Sequence, residues 1–421
     1  MLRWVLVGLV AIASVTLAIA LYHPPMRLMP PPLLFQMGGT EVVGIAPEMF
    51  EGNRIEVLYA TNRLPVGPRD ARIYTVAPDR QLHFGTAHMR VGSEGTTFDD
   101  LVDWTTRGGD DRPFIHLEAM DETASLAPDE DPAVAADWFA AVDAALAASG
   151  ATDVLVYVHG ANTTVERAAG QAAQLLHFGA GRAVVVLFAW PTAENFLRYP
   201  RDIETAFGGA PHLAELVRLL AAHTRAANVD VFTYSAGGTV GSAGLALLAA
   251  DPGQAAGRLG EVYHAAPDAD FRTFVTDLEA YGPVARRVTT AVNMGDSALR
   301  LAQVVNRASR AGRPDLRELD AEETEALLAA SAGGRMQVIQ VHPEVMSDLS
   351  ATSHTFWYDD PWVSNDVLMT MLFHLTPEER GLTADVSPGG VSFWTFPPDY
   401  PDHMPALVEL LRRRLAAAAQ G

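Results

Sequence analysis

The chain has 421 residues, about half of them apolar, enough for one large domain or two to three average ones. Fifty-one acids against thirty arginines, with no lysine at all, give a net charge of −21; a protein that tracks nucleic-acid phosphates needs a basic face, and this balance argues against one. With no cysteine, disulfides, thiolate zinc sites and thiol nucleophiles are excluded, and without lysine there is no phosphate loop ending in Gly-Lys.

The first element is an uncharged apolar run, Trp4 to Tyr22, after Arg3. Nineteen residues at 1.5 Å each reach roughly 28 Å, close to the hydrocarbon thickness of a bilayer. Residues 1–23 therefore read as a signal anchor, or as a signal peptide cut near Ala18-Ile19-Ala20, and either places the rest of the chain in the cell envelope, outside the cytoplasmic membrane. Residues 24–53, with Pro24, Pro25 and Pro30 to Pro32, read as a tether.

Residues 54–132 form a β-rich lead-in to the domain that fills 54–421. Arg54 to Ala60 and Leu82 to Val91 read as strands joined through Thr61-Asn62-Arg63, and a short strand is expected near Phe114 to Leu117. The remainder of 92–133 reads as irregular, with Leu101 to Arg107 an aromatic loop. After a helix over Ala133–Ser149, a strand–helix alternation begins: strands Val154–Val158, Ala183–Phe188 and Val229–Tyr234, and helices Glu166–Phe178, Leu213–Ala226 and Gly237–Ala250. Strands Gly260–Ala265, Val284–Val292 and Met336–Val341 follow, the last of the series, then helix Val363–Phe373 and a terminal helix from Leu407. Residues 300–333 read as a charged helical insertion, and Phe393 to Tyr400 as another aromatic loop. Short, fully apolar strands spaced by helix-length segments are what a parallel sheet covered on both faces requires. The fold class is α/β, one mostly parallel doubly wound sheet.

The strongest chemistry lies where strand Val229–Tyr234 runs through Ser235-Ala236-Gly237-Gly238 straight into an apolar helix. In that context a serine sits at a sharp turn with its hydroxyl near free N–H groups of a helix N-terminus, the arrangement of a G-x-S-x-G nucleophile elbow. Thr233 stands in place of the first glycine, and a serine capping a helix is the plain alternative. Upstream, Val154–Val158 ends in His159-Gly160-Ala161-Asn162, a loop able to supply a second oxyanion donor; Ala161, with Asn162 as the alternative, joins Ala236 as a candidate N–H. Downstream, Asp296 follows the second strand after the elbow and is the favoured acid, with Asp268 the runner-up. For the base, His354 in a polar loop is favoured over His342, which adjoins a strand. Trp190 and Tyr199, with Phe196, are candidate walls of a substrate pocket.

The series VLYATNR, LHFGTAHMRV, VLVYVHGANTT, FAWPTAENFLRYPRD, FTYSAGG, YHAAPDAD, RRVTTAVNMGDSALRLAQ and SHTFWYDDPWVSNDV resembles the α/β-hydrolase superfamily, and within it a poorly characterised bacterial group of esterase/lipase-like proteins. It spans roughly Arg54 to Leu375 in the family's order. The resemblance implies an α/β-hydrolase fold, Ser235 as nucleophile, Asp296 as acid and His354 as base, with no cofactor or metal, acting on a small or lipid-like ester. A catalytically silent hydrolase-fold scaffold and an acyltransferase using the same serine are the alternatives.

Overall fold

The alternation of side chains along the central strands sets the architecture. On strand Asp153–Val158, Val154, Val156 and Val158 are buried in one apolar core while Leu155 and Tyr157 are buried in another, so this strand needs cover on both faces. The computed structural model describes residues 24–38, 52–107, 109, 111–332, 334–346 and 349–418. In chain order its strands are β1 (Met26–Arg27), β2 (Arg54–Val66), β3 (Ile73–Val91), β4 (Phe114–Leu126), β5 (Asp153–Val158), β6 (Val184–Ala189), β7 (Asn228–Tyr234), β8 (Leu259–Ala265), β9 (Arg287–Val292), β10 (Met336–Gln340), β11 (Thr383–Val386) and β12 (Ser392–Thr395). Its α-helices are α1 (Leu33–Gln36), α2 (Phe98–Thr106), α3 (Ala136–Ser149), α4 (Val165–Phe178), α5 (Tyr199–His223), α6 (Gly237–Ala250), α7 (Phe271–Tyr281), α8 (Ser297–Asn306), α9 (Ala321–Ala332), α10 (Phe356–Asp359), α11 (Pro361–Phe373) and α12 (Met404–Ala418).

All twelve strands belong to one sheet, in the order β1-β4-β3-β2-β6-β5-β7-β8-β9-β10-β12-β11. From β2 to β12 every neighbouring pair is parallel, whereas β1, β4 and β3 on one edge and β11 on the other are antiparallel. Helices α4, α11 and α12 bury their apolar residues on one face of the sheet, and α3, α5, α6 and α7 on the other. The lead-in is thus no separate layer: β2 pairs with β6 and carries the β3–β4 extension into the same sheet.

Several sequence expectations need correcting. Residues 24–38 are not a free tether. Met26 and Arg27 pair with Ile115 and Phe114, and Leu28, Leu34 and Phe35 are buried, because this stretch alternates its prolines with apolar side chains that have a core to fill. The segment after β3 holds helix α2, started by a capping box in which Thr97 and Asp100 exchange hydrogen bonds. Helix α5 begins at Tyr199, fourteen residues before the expected start, and passes through Pro211. Helix α7, capped by Asp270, separates β8 from β9. Residues 300–333 contain the end of α8, a buried strap around Arg310, and α9. The sheet does not stop at β10 but adds β12 and β11. Among the described residues no helix is long and apolar enough to cross a membrane; the span expected at Trp4–Tyr22 lies outside them.

Candidate active site

Parallel strands bring their carboxyl ends to one edge, and the loops there collect the candidate residues. Ser235 follows β7 with φ +54°, a left-handed conformation costly for a residue with a side chain. Three backbone bonds hold it: its N–H donates to the Ala265 carbonyl at 3.0 Å, and its carbonyl accepts from Gly238 and Asp268 N–H, both at 2.8 Å. Small residues make the turn possible. A Cβ on Gly237 would lie 2.6 Å from the carbonyl oxygens of Val158 and His159, and one on Gly238 would lie 2.7 Å from Pro267 Cβ.

Thr233, the departure from G-x-S-x-G, is accommodated one turn into α6. A Cβ on Gly241 would meet the Thr233 methyl at 2.5 Å, so the glycine missing from the strand reappears in the facing helix. The Thr233 hydroxyl bonds His264 Nδ1 at 2.7 Å, and His264 Nε2 reaches the Tyr281 hydroxyl at 2.9 Å. Burial lowers the His264 pKa to about 3, which keeps the ring neutral.

His354 and Asp296 converge on the serine from the far side of β8. His354 Nε2 lies 2.8 Å from Ser235 Oγ, and His354 Nδ1 lies 2.6 Å from Asp296 Oδ2. Asp296 is fully buried, and its other oxygen accepts the Leu299 N–H at 2.9 Å, so the same carboxylate caps α8. The histidine loop is clamped by the turn that bears the acid: Asn293 donates to the Ser353 carbonyl at 2.8 Å, and Ser297 N–H to Thr352. A Cβ on Gly295 would lie 2.2 Å from the Ala351 carbonyl. The alternatives separate cleanly. His342 pairs with Glu344 at 2.8 Å, and the Asp268 carboxylate is engaged by Arg310 and Tyr199, both at 2.6 Å.

Because β5 neighbours β7, the His159–Asn162 loop lies against the serine: a Cβ on Gly160 would come within 2.9 Å of Ser235 Cβ. Among the described residues neither Ala161 N–H nor Ala236 N–H donates to another protein group, whereas the Asn162 N–H donates to Asp202 Oδ2 at 3.1 Å. Asn162 is therefore an anchor, and Ala161 carries the candidate donor.

Comparison with known proteins bears on this arrangement. Residues 135–369, more than half of the chain and every residue from β5 to His354, match the model of a family described as "Alpha/beta hydrolase of unknown function (DUF900)". The chain belongs to this α/β-hydrolase family. Among solved structures, one described as a "putative aryl esterase" from Burkholderia cenocepacia is similar at 11% identity, over 64% of this chain and 92% of that one, with a TM-score of 0.21. No curated protein matches the chain.

A cavity of about 450 Å³ opens beside Ser235 and His354. Its apolar wall comes from Leu197, Leu299, Leu301, Ala302 and Val305. A polar wall is formed by Asp268 and Tyr199, backed by Arg310 and by Asn306, which donates to the Tyr199 hydroxyl at 3.1 Å. Tyr199 thus lines the cavity. Trp190 does not: it is fully buried, stacks on His159 at 5.5 Å and donates its indole N–H to the His159 carbonyl at 2.7 Å, bracing the oxyanion loop from behind instead of walling the cavity. The side chain of Phe196 lies outside the described residues.

Two buried charges that had no role in the sequence reading hold these loops. Arg63, fully buried, donates to the carbonyls of Trp190 and Thr163 at 3.1 and 3.0 Å and pairs with Glu194 at 2.7 Å. Asp202 accepts Ala193 N–H at 2.5 Å as well as Asn162 N–H, joining the loops after β5 and β6. Burial raises the Asp202 carboxyl above the ordinary carboxylate range, with the two N–H groups and Arg63 pulling against it. Burial first, and Arg63 next, lower His159 to about 3. Arg63 lies in β2 three residues past the run expected as a strand, and Asp202 in the first turn of a helix whose start was expected later, so neither had a local signal.

Proposed function

We propose that this protein is a serine hydrolase that cleaves carboxylic esters through an acyl-enzyme. The observation that carries the reading is the unbroken relay Ser235 Oγ–His354–Asp296, with contacts of 2.8 and 2.6 Å, opening on a cavity with an apolar wall. Ser235 Oγ attacks the ester carbonyl while His354 Nε2 takes its proton. Asp296 accepts the Nδ1–H, fixes the tautomer and stabilises the imidazolium. N–H groups of Ala161 and Ala236 receive the tetrahedral oxyanion, a contribution of about 3 kcal/mol per donor. Collapse expels the alcohol with the proton from His354, leaving Ser235 acylated. Water then gives its proton to His354 and attacks the acyl carbon, and His354 passes that proton to Ser235 Oγ as the acid leaves. The polar Asp268–Tyr199 wall and the apolar α8 wall offer separate seats for the two halves of the ester.

Hydrolysis of a soluble nitrophenyl butyrate tests this. Ser235→Ala is expected to reduce turnover to background while the melting temperature stays within about 3 °C. Turnover retained by a folded Ser235→Ala protein overturns the reading.

A further inference from the structure

Helix α8 carries two apolar stripes. Leu299 and Ala302 are buried. Leu301, Val304 and Val305, at the spacing that shares one helical face, point to solvent, with Val304 72% exposed. Leu301 and Val305 run on into the cavity wall, where Leu197, 62% exposed, also stands. An apolar patch that continues into a binding cavity marks a surface that meets something apolar.

The local charge differs from the whole. Residues 297–314 hold four arginines and no acid, in a chain where acids outnumber arginines by fifty-one to thirty. Arg310 is buried on Asp268 and the half-buried Arg313 donates to the Met294 carbonyl, while Arg300 and Arg307 are exposed along α8 and at its end. Apolar side chains bordered by arginines suit the boundary between lipid headgroups and acyl chains.

The first described residues begin on the same side of the sheet as this face. The Pro24 carbonyl accepts from Arg167 in the first turn of α4, Met26 packs on Gly170, and Met29 N–H donates to Gln174. The chain from 24 to 29 therefore descends along α4 from the turn that follows the oxyanion loop. The first described residue, Pro24, thus lies on the side of the sheet where the cavity opens.

We infer that the exposed stripe of α8, with Leu197, docks on the surface of a phospholipid bilayer and that the cavity draws its acyl ester from a lipid in that bilayer. The docking half stands by itself; the substrate half rests on the serine-hydrolase reading.

The absence of cysteine makes a single-label test direct. The full-length Val304→Cys chain, carrying an environment-sensitive fluorophore, is reconstituted in phosphatidylcholine vesicles with or without brominated acyl chains. Val284→Cys, exposed in the turn before β9 at the opposite edge, is the reference. Bromolipid is expected to quench the label at 304 at least about twofold and to leave that at 284 unchanged, while aqueous iodide does the reverse. Equal iodide quenching at both sites overturns the docking, and so does a label at 304 shielded from both quenchers, which would place residues 39–51 or a second copy of the chain over the stripe. For the substrate half, Val304→Asp, outside the cavity wall, is expected to lower hydrolysis of a long-chain nitrophenyl ester in those vesicles about tenfold and to leave that of soluble nitrophenyl butyrate within about twofold. Equal losses on the two esters overturn the lipid-substrate assignment. Bromolipid quenching without hydrolysis of either ester overturns the serine reading and upholds the docking.

Discussion

Gly160→Ala probes the oxyanion loop with one added methyl group. The new Cβ would stand 2.9 Å from Ser235 Cβ, 3.3 Å from Tyr234 Cδ1 and 3.4 Å from Ser235 Oγ. Unbonded carbons settle at about 3.5–4.0 Å, so the loop and the serine must part by roughly 0.6–1 Å. Ser235 is pinned by three backbone hydrogen bonds, and the Tyr234 ring packs on Trp357, Tyr358 and His354, so the loop yields and takes Ala161 with it. An oxyanion donor displaced that far loses most of its bond to the developing charge, about 3 kcal/mol, or 10²- to 10³-fold in kcat. Overpacking costs about 1–3 kcal/mol of stability, which leaves a folded protein. The assay is kcat on soluble nitrophenyl butyrate beside the melting temperature, with Gly208→Ala as the control, since nothing lies within 4 Å of the Cβ it would add. A Gly160→Ala enzyme with kcat within about threefold of the parent would refute the placement of Ala161 beside the reacting carbonyl.

Gly241→Ala is expected to destabilise by about 1–3 kcal/mol in urea titration, and adding Thr233→Ser, which removes the opposing methyl and keeps the hydroxyl on His264, to recover most of it; additive losses would contradict the pairing of the two positions. Asp202→Asn keeps one acceptor oxygen and turns an amide donor toward the other N–H, so a loss of about 1–3 kcal/mol in stability and about tenfold in kcat/KM is expected. His177 is lowered to about 4 by burial, below its unfolded value near 6.5, so the unfolded chain binds the extra proton and stability is lost as pH falls between those values. The stability difference between the parent and His177→Gln is therefore expected to shrink by up to about 1.4 kcal/mol per pH unit across that window, and a difference independent of pH would contradict it.

The strands β5 to β10 and the order of the site loops were legible because buried parallel strands are short apolar runs and because chemistry gathers where they end. Ser235 was chosen from its strand-turn-helix setting, Asp296 from its place after the second strand beyond it, and His354 from its polar loop. What escaped depends on contacts distant in sequence. Trp190 looked like a pocket wall, as an aromatic side chain after a strand does, until His159, thirty-one residues earlier, covered it. Arg310 meets Asp268 only because the strap after α8 folds back over the β8–α7 loop. Pro211 hid the first half of α5, since a proline reads as a helix boundary although this helix continues through it. The Thr97 capping box, by contrast, was present in the sequence and would have revealed α2.

The most direct test of the central claim is the site of covalent reaction. The folded protein treated with a fluorophosphonate, then digested and sequenced by mass spectrometry, is expected to carry one adduct on Ser235, with labelling slowed at least about a hundredfold in His354→Ala. An adduct on another residue, or labelling of Ser235 at the same rate without His354, would contradict it.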